Sequence, residues 1–285
     1  HPTLSVLYLI CSRTASIAAF SFARTPTNVS FAPMNEVMIE SANPTHAAIH
    51  CSTSCSLLTA SYGGGALTII SILPGGSLGA LKGVRQAGQS AHAVVVDNRV
   101  PKQKTDEVYL LVPVLRQDAF FEYIYDPMMQ SVIENSDQPR LNVSTGFGPR
   151  HAAFHSTEPF AFVANENAPY LGVLLRQVDS SSGQRRYSSC KPVLAVPEAM
   201  KNATGLYGGE VVVTHGTVLF SIRDATEAKR DLVALFALTF GATSSGCAGL
   251  QVVLVKRHQQ HRVRHPLGGC QQRAEHITYA ARRRR

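Results

Sequence analysis

The sequence predicts an all-β fold, and more specifically a β-propeller built from repeated small sheets. Segments of alternating polar and apolar residues recur along the chain at a spacing close to 50 residues, and no helical pattern of convincing length competes with them. Three or four short strands in each repeat are typical of a propeller blade. A two-sheet sandwich is the alternative, but a sandwich does not predict a repeat.

Four segments indicate the first strand of successive repeats, because each begins with a small or polar residue and continues as an apolar-alternating run. These segments are THAAIH from Thr45, AHAVVV from Ala91, RHAAFH from Arg150 and EVVVTH from Glu210. Their equivalent positions are separated by 46, 59 and 60 residues and are His46, His92, His151 and Val211. After a short turn, a second β-rich run follows each segment.

The N-terminal stretch fits the same frame one repeat earlier. HPTLSVLYLIC from His1 has the length and pattern of HSTEPFAFVAN from His155. We therefore expect the chain to open inside a repeat and to contain about five recognisable blades. The stretch is apolar, but it has neither an initiator Met nor a basic leader, so we interpret it as strands and not as a signal peptide.

The repeat pattern stops after Leu238, which predicts a propeller domain of residues 1–238 and an irregular basic tail of residues 239–285. Nine of the 27 Lys and Arg residues but only one of the 19 acidic residues, Glu275, lie from Gly241 onward, so the body has no net charge. A solvated tail is favoured over specific nucleic-acid binding. The abrupt change suggests a truncated product or an altered reading frame. No run of about 18 uncharged apolar residues predicts a membrane span.

Six cysteines are scattered along the chain without the paired spacing of a zinc site. Cys51 and Cys55 could form half of such a site, but the sequence shows no second half. We therefore expect free thiols in a reducing compartment, a cytoplasmic location and no metal.

Five motifs occur in order along the chain: ASYGGGALTIISILPGGSLGAL, SAHAVVVD, GPRHAAFH, FAFVANE and VLFSIRD, which begin at Ala60, Ser90, Gly148, Phe160 and Val218. Together they resemble the seven-bladed β-propeller lactonase family, which includes a bacterial type of 6-phosphogluconolactonase and the fungal carboxy-cis,cis-muconate cyclase. The resemblance covers roughly residues 1 to 238. It implies an active site in the funnel at one end of the central channel.

The resemblance implies that a histidine, two arginines and a glutamate form this site. Matched motif by motif, the implied catalytic residues are His92, Arg150, Glu166 and Arg223. Equivalent positions of successive blades surround one axis, which adds three candidate substrate-binding residues: His46, Tyr62 and His151. The same alignment places Val114 at the position of Tyr62, Glu166 and Arg223. No cofactor is expected.

Four positions depart from the family's pattern. Val114 stands where the family tends to have an acid, and Arg116 stands where it has a glycine. Ser61 and Ile222 each replace an asparagine.

These residue types suit the opening of a lactone ring, because two guanidinium groups can bind and stabilise oxygens that gain negative charge. Either Glu166 or His92, which titrates near neutrality in its ordinary state, would activate water. The resulting prediction is a hydrolase that opens a sugar-acid lactone, most simply 6-phosphogluconolactone to 6-phosphogluconate in the pentose phosphate pathway. The expected partner is a small anionic lactone or sugar acid. A muconate-type cyclase and a degenerate propeller that only binds ligands are the alternatives.

Overall fold

The computed structural model describes residues 1–97, 108–179, 181, 184–225, 230–241, 246–247 and 250–261. Within these residues the chain forms 21 strands and two short 3₁₀ helices, Leu115–Gln117 and Glu198–Met200. The prediction of an all-β fold is confirmed. None of the helices in the described ranges is long and apolar enough to cross a membrane.

The strands form five antiparallel sheets in chain order. The first sheet contains β1 (Val6–Cys11), β2 (Ser16–Arg24) and β3 (Val29–Met38). The second contains β4 (Pro44–Cys51), β5 (Cys55–Ser61), β6 (Ala66–Ile72) and β7 (Leu78–Gln86). The third contains β8 (Val95–Asp97), β9 (Val108–Val114), β10 (Ala119–Asp126), β11 (Ser131–Glu134) and β12 (Arg140–Asn142).

The fourth and fifth sheets follow the same order of pairing. The fourth contains β13 (Pro149–Phe154), β14 (Phe160–Asn165), β15 (Tyr170–Val178), β16 (Arg185–Ser189) and β17 (Val193–Leu194). The fifth contains β18 (Leu206–Val213), β19 (Thr217–Asp224), β20 (Arg230–Phe240) and β21 (Leu250–His261). The five sheets are the five repeats expected from the sequence.

The apolar core lies in layers between consecutive sheets. Leu58 and Ile69 of the second sheet pack with Val112 and Tyr123 of the third in one buried cluster. Comparable clusters join the first to the second sheet, the third to the fourth and the fourth to the fifth. Because a middle strand such as β5 is covered on both faces, six of its seven residues are buried, whereas the outer strand β7 alternates between partly buried and exposed residues.

The first strands of the second to fifth sheets lie beside one another. β4 contacts β8, β8 contacts β13, and β13 contacts β18. This arrangement places the equivalent ends of these strands around a common axis, as in a propeller. It is the feature of the fold that positions the candidate site.

The C-terminal region corrects one expectation. The predicted tail was irregular from residue 239, but β21 within it pairs along most of β20, from Phe240 with Leu250 to Arg230 with His261. β20 itself runs through Leu238, where we placed the domain boundary. The division at that residue stays a prediction, and residues 262–285 lie outside the described part of the chain.

The prediction of free thiols is wrong for the described cysteines. Cys51 is bonded to Cys55 and Cys190 to Cys247, with Cα–Cα distances of 4.1 and 5.6 Å, and Cys11 is also disulfide-bonded. The Cys190–Cys247 bond joins the fourth sheet to the connection between β20 and β21. Its partners are 57 residues apart, so no local spacing could have indicated the pair.

Candidate active site

A repeated backbone arrangement positions equivalent residues in four sheets. A residue with left-handed backbone geometry precedes the first strand, and its carbonyl accepts a hydrogen bond from the N–H of the residue that follows the second strand. The donor–acceptor pairs are Tyr62 with Asn43 (2.9 Å), Leu115 with Ser90 (3.1 Å), Glu166 with Gly148 (2.8 Å) and Ala225 with Gly205 (2.7 Å). The predicted alignment was therefore wrong by one residue in the third sheet, where Leu115 and not Val114 is the equivalent, and by two in the fifth, where Ala225 and not Arg223 is.

Gly148 shows why this position in GPRH needs a glycine. Its φ is +61°, and a Cβ atom there would lie 2.4 Å from Nδ2 of Asn167. That amide is already engaged, because it donates a hydrogen bond to the carbonyl of Gly146 at 3.1 Å. A side chain at residue 148 would therefore disturb the turn that sets the position of Glu166.

A β-bulge lets the neighbouring residues Arg150 and His151 take part in the same site. The register of β13 against β14 shifts between Pro149 and His151, which leaves Arg150 outside the regular pairing. In a regular strand two successive side chains would point to opposite faces, and a bulge changes that direction locally. Both side chains are largely buried, with exposed fractions of 19% for Arg150 and 10% for His151.

The four predicted catalytic residues meet at the carboxylate of Glu166. Arg223 donates from Nη2 to Oε1 at 2.7 Å, while Nε of Arg150 lies 3.4 Å from Oε2. Nε2 of His92 lies 3.8 Å from the same Oε2. These residues come from the third, fourth and fifth sheets, so three repeats converge as the sequence predicted.

The three predicted substrate-binding residues adjoin this group. The ring centroid of His92 lies 5.0 Å from that of His151 and 5.6 Å from that of Tyr62. His46 packs edge-on against His151 at 5.2 Å. Arg116 lies over the ring of Tyr62, with its guanidinium carbon 5.8 Å from the ring centroid, and adds a third cation at this side of the cluster.

Burial decides the charge of two histidines. It lowers the pKa of His92 to about 2, and the positive charge of Arg150 lowers it further in the same direction. Burial, followed by the charge of His151, lowers the pKa of His46 to about 4. Both imidazoles are therefore neutral at pH 7, and the prediction that His92 titrates near neutrality is wrong. Burial and the proximity of Arg223 also lower the pKa of Arg150.

Several buried polar atoms of the cluster have no hydrogen-bond partner within the described part of the chain. They are Nδ1 of His92, Nε of Arg150, Nε2 of His151, Oε2 of Glu166 and Nε of Arg223. Buried polar groups are normally satisfied, and those left over at one place are a common property of a ligand site. A ligand with several oxygens has the chemistry to satisfy donors and acceptors of this kind.

The sequence analysis missed three site residues, Gly208, Gly209 and Glu210. The carbonyl of Gly208 accepts a hydrogen bond from Arg223 at 3.0 Å, and that of Gly209 accepts one from Arg150 at 2.7 Å. Oε2 of Glu210 lies 2.5 Å from Nδ1 of His151. The available signal was the GGE sequence, which occupies in the fifth repeat the place of GPR in the fourth.

Two other features lie away from this cluster. His1, Cys51 and Cys55 bring potential metal-ligand atoms within 4.8 Å of one another, but both sulfurs are joined in a disulfide and are not thiolate ligands. A groove of about 450 Å³ is lined by residues that include Arg176 and Phe240 and by none of the candidate site residues. Neither feature contributes to the chemistry at Glu166.

Comparison with known proteins agrees with the fold. The chain has 19% sequence identity to the Pseudomonas aeruginosa periplasmic gluconolactonase PpgL, with a TM-score of 0.65 over 85% of this chain and 64% of that one. It is 17% identical to a putative 6-phosphogluconolactonase from Bacteroides uniformis, with a TM-score of 0.65 over 90% and 68% of the two chains. It is 19% identical to a putative 6-phosphogluconolactonase from Bacteroides fragilis, with a TM-score of 0.63 over 90% of this chain and 68% of that one.

The chain thus spans about two thirds of the length of these structures, and less than two thirds of PpgL. No curated protein sequence matches it. A sequence model of the family described as "Lactonase, 7-bladed beta-propeller" matches residues 1–243, which is most of the chain. On this match, the chain belongs to the seven-bladed β-propeller lactonase family.

Proposed function

We propose that the protein hydrolyses a sugar-acid lactone, with 6-phosphogluconolactone as the first candidate substrate. The observation that carries this proposal is the position of the Glu166 carboxylate between two guanidinium groups, with no hydrogen bond to its Oε2 within the described residues. A carboxylate in this position can accept a proton from water, and the guanidinium groups can stabilise a negative oxygen beside it. Relatives described as gluconolactonases or putative 6-phosphogluconolactonases support the substrate class.

In the proposed reaction Glu166 takes a proton from a water molecule while the water oxygen attacks the lactone carbonyl carbon. Negative charge then develops on the carbonyl oxygen, where Arg150 and Arg223 stabilise it. The bond between the carbonyl carbon and the ring oxygen breaks, the ring oxygen takes up a proton, and a sugar-acid carboxylate is released. His92 has a pKa of about 2, so its role is to pack and to hydrogen-bond as a neutral ring.

The phosphorylated lactone is favoured by the third cation. Arg116 lies over Tyr62, which packs against His92, so an unbroken row of side chains connects it to Glu166. Arg116 is exposed, as suits a group that meets the charged end of a substrate. Two guanidinium groups at the reacting carbonyl and a third at the edge match a ligand that carries a phosphate at one end and develops negative charge on a carbonyl oxygen at the other.

The direct test is pH-stat hydrolysis of freshly prepared 6-phosphogluconolactone, with the spontaneous opening rate subtracted. Glu166→Gln should lower kcat by about 10²–10⁴-fold, because the amide cannot accept the proton. Glu40→Gln, which changes an exposed glutamate, should behave as the unaltered protein. A rate equal to the spontaneous one in the unaltered, folded protein would contradict the proposal. Ring closure of a muconate, tested beside it, would support a cyclase instead.

We also infer an oxidising compartment, in place of the cytoplasmic location expected from free thiols. Structural disulfides persist mainly in such compartments, and the described cysteines are disulfide-bonded. The relative PpgL is described as periplasmic. Mass spectrometry of the alkylated protein, isolated without reductant, should show Cys190 and Cys247 unmodified. Their complete alkylation would count against this compartment.

A further inference from the structure

The first strand of the fifth sheet contains a bulge that brings its backbone into the site. The register of β18 against β19 shifts between Gly208 and Val211. A Cβ atom on Gly208 would lie 2.0 Å from the carbonyl oxygen of Asn165, and one on Gly209 would lie 2.5 Å from Oγ of Ser221. Gly208 therefore allows a close approach to β14 of the fourth sheet, which ends one residue before Glu166, and Gly209 allows a close approach to β19 within the fifth sheet.

Three consecutive residues of this bulge hold three side chains of the candidate site. The carbonyls of Gly208 and Gly209 accept hydrogen bonds from Arg223 and Arg150, as described above. The carboxylate of Glu210 contacts Nδ1 of His151 at 2.5 Å. The bulge therefore orients both guanidinium groups and one imidazole, and Glu210 is the one member of the three that acts through its side chain.

The Glu210 carboxylate is itself held in place. Its Oε1 accepts a hydrogen bond from the N–H of Val211 at 3.0 Å, and its own N–H donates to Oγ of Ser221 at 2.7 Å. Burial alone would raise the pKa of Glu210, but the hydrogen bond and the charge of His151 outweigh it, so the pKa is lowered. Glu210 is therefore ionised at neutral pH and can accept the Nδ1 proton of His151.

The other ring nitrogen of His151 is left available. Its Nε2 is buried and has no hydrogen-bond partner within the described residues. The groups that face His151 are Glu210 from β18, His46 from β4, His92 ahead of β8 and the adjacent Arg150. Of the three imidazoles that pack together here, His151 is the one within hydrogen-bond distance of a carboxylate, whereas His92 lies 3.8 Å from that of Glu166.

We propose that His151 and Glu210 form a proton-transfer dyad, in which Glu210 positions His151 and His151 donates a proton from Nε2 to the departing ring oxygen. The proposal rests on the lactone-opening function proposed above. When the bond between the carbonyl carbon and the ring oxygen breaks, the Nε2 proton passes to that oxygen and His151 becomes neutral. Glu166 holds the proton taken from water and releases it to solvent, from which His151 is protonated again. The sum of these steps is the addition of one water to the lactone.

Two readouts test the dyad. In lactone hydrolysis, Glu210→Gln should lower kcat by about 10- to 100-fold with KM changed less than about threefold, because a positioning residue acts on the chemical step more than on binding. Glu210→Asp, which keeps the charge, should recover part of the rate. Glu40→Gln serves as the exposed control. Circular dichroism confirms that each variant is folded.

The second readout does not need activity. In ¹⁵N-histidine NMR spectra, the Nδ1 signal absent from His151→Gln should change its chemical shift in Glu210→Gln, because the charge-assisted hydrogen bond from Nδ1 to the carboxylate is lost. An active protein whose kcat and His151 Nδ1 signal are both unchanged in Glu210→Gln would overturn the dyad and leave the lactonase function standing. An inactive but folded parent protein would overturn the proposed function, and with it the catalytic role of the dyad.

Discussion

At the scale of single residues, Glu166 is surrounded by positive charge before any ligand is present. Arg223 lies 2.7 Å from one carboxylate oxygen and Arg150 lies 3.4 Å from the other. The exposed fraction of the Glu166 side chain is 24%, so water screens these contacts only in part. In the proposed reaction the two guanidinium groups would therefore need little reorganisation to stabilise a negative oxygen beside Glu166.

Arg116, which is exposed and lies over the ring of Tyr62, is open to a selective test. We expect Arg116→Gly to raise KM for 6-phosphogluconolactone by about tenfold, because one charge-assisted contact contributes about 1.5–3 kcal/mol at most. KM for unphosphorylated gluconolactone should stay within about twofold. Steady-state kinetics on both lactones decides the matter, and an equal change in both KM values would contradict a role in phosphate binding.

His92 should make the protein sensitive to acid. Its pKa is lowered from 6.5 to about 2, so below pH 6.5 the unfolded chain binds a proton that the folded chain does not, and stability falls as the pH falls. The loss is about 1.4 kcal/mol per pH unit, or about 2 kcal/mol by pH 5. The free energy of unfolding of both proteins is measured in urea at pH 8 and at pH 5. Between these two pH values it should fall by about 2 kcal/mol less in His92→Gln than in the parent protein. Equal losses would show that His92 is protonated in the folded state.

At the scale of elements, the bulges in β13 and β18 determine which side chains can meet. Arg150 and His151 are neighbours in sequence, yet one contacts Glu166 and the other contacts Glu210. The carbonyls exposed at Gly208 and Gly209 then hold both arginines. The geometry of the site is therefore a property of two irregular strand segments and not of side chains alone.

The Gly208 contact predicts a specific defect. Gly208→Ala should lower the free energy of unfolding by about 3 kcal/mol and reduce activity, because its Cβ would meet a backbone oxygen at 2.0 Å and the fourth and fifth sheets would have to separate. Gly216→Ala is the matched control, since no atom lies within 4 Å of a Cβ built there, and it should change stability by less than about 0.5 kcal/mol. Urea unfolding of both variants is the measurement, and equal stabilities would contradict the contact.

The sequence predicted these elements better than it predicted their irregularities. Alternation in THAAIH and RHAAFH identified the first strands. Because equivalent residues of a repeat occupy the same position in each blade, the alignment also placed His46, His92 and His151 at one axis. The pattern VPVLRQD has no feature that distinguishes Val114 from Leu115, so the register was wrong by one residue in the third sheet. It was wrong by two in the fifth, where Ala225 and not Arg223 follows the second strand. The lowered pKa of His92 arises from packing between three sheets, which a linear pattern does not show.

At the scale of the whole molecule, five sheets stack in sequence order, and no strand of the fifth pairs with the first among the described residues. The residues of the candidate site come from four of these five sheets. Its polar cluster is built from the second to fifth sheets, each of which packs on the next through a buried apolar layer. The family to which the chain belongs is described as seven-bladed, and here the site residues converge across consecutive blades.

Disulfides should contribute unequally to the stability of this stack. Cys190 and Cys247 close a loop of 57 residues between the fourth and fifth sheets, whereas Cys51 and Cys55 close one of four. Because a longer closed loop restricts the unfolded chain more, removing the first pair should lower the free energy of unfolding by about 4 kcal/mol and removing the second by about 2 kcal/mol. Urea midpoints of the two double Cys→Ser variants, compared without reductant, give the order. A larger loss for the Cys51/Cys55 variant would contradict it.

The proposed function requires that Arg150 and Arg223, which come from different sheets, bind one anionic sugar acid. Calorimetric titration with 6-phosphogluconate, the stable product, measures this binding. We predict saturable binding that Arg150→Gln and Arg223→Gln each weaken by about 10- to 100-fold, since each removes a charge-assisted contact. Arg140→Gln, an exposed arginine of the third sheet, should leave the Kd unchanged. Absence of binding to the folded parent protein, or binding that neither variant weakens, would contradict the claim.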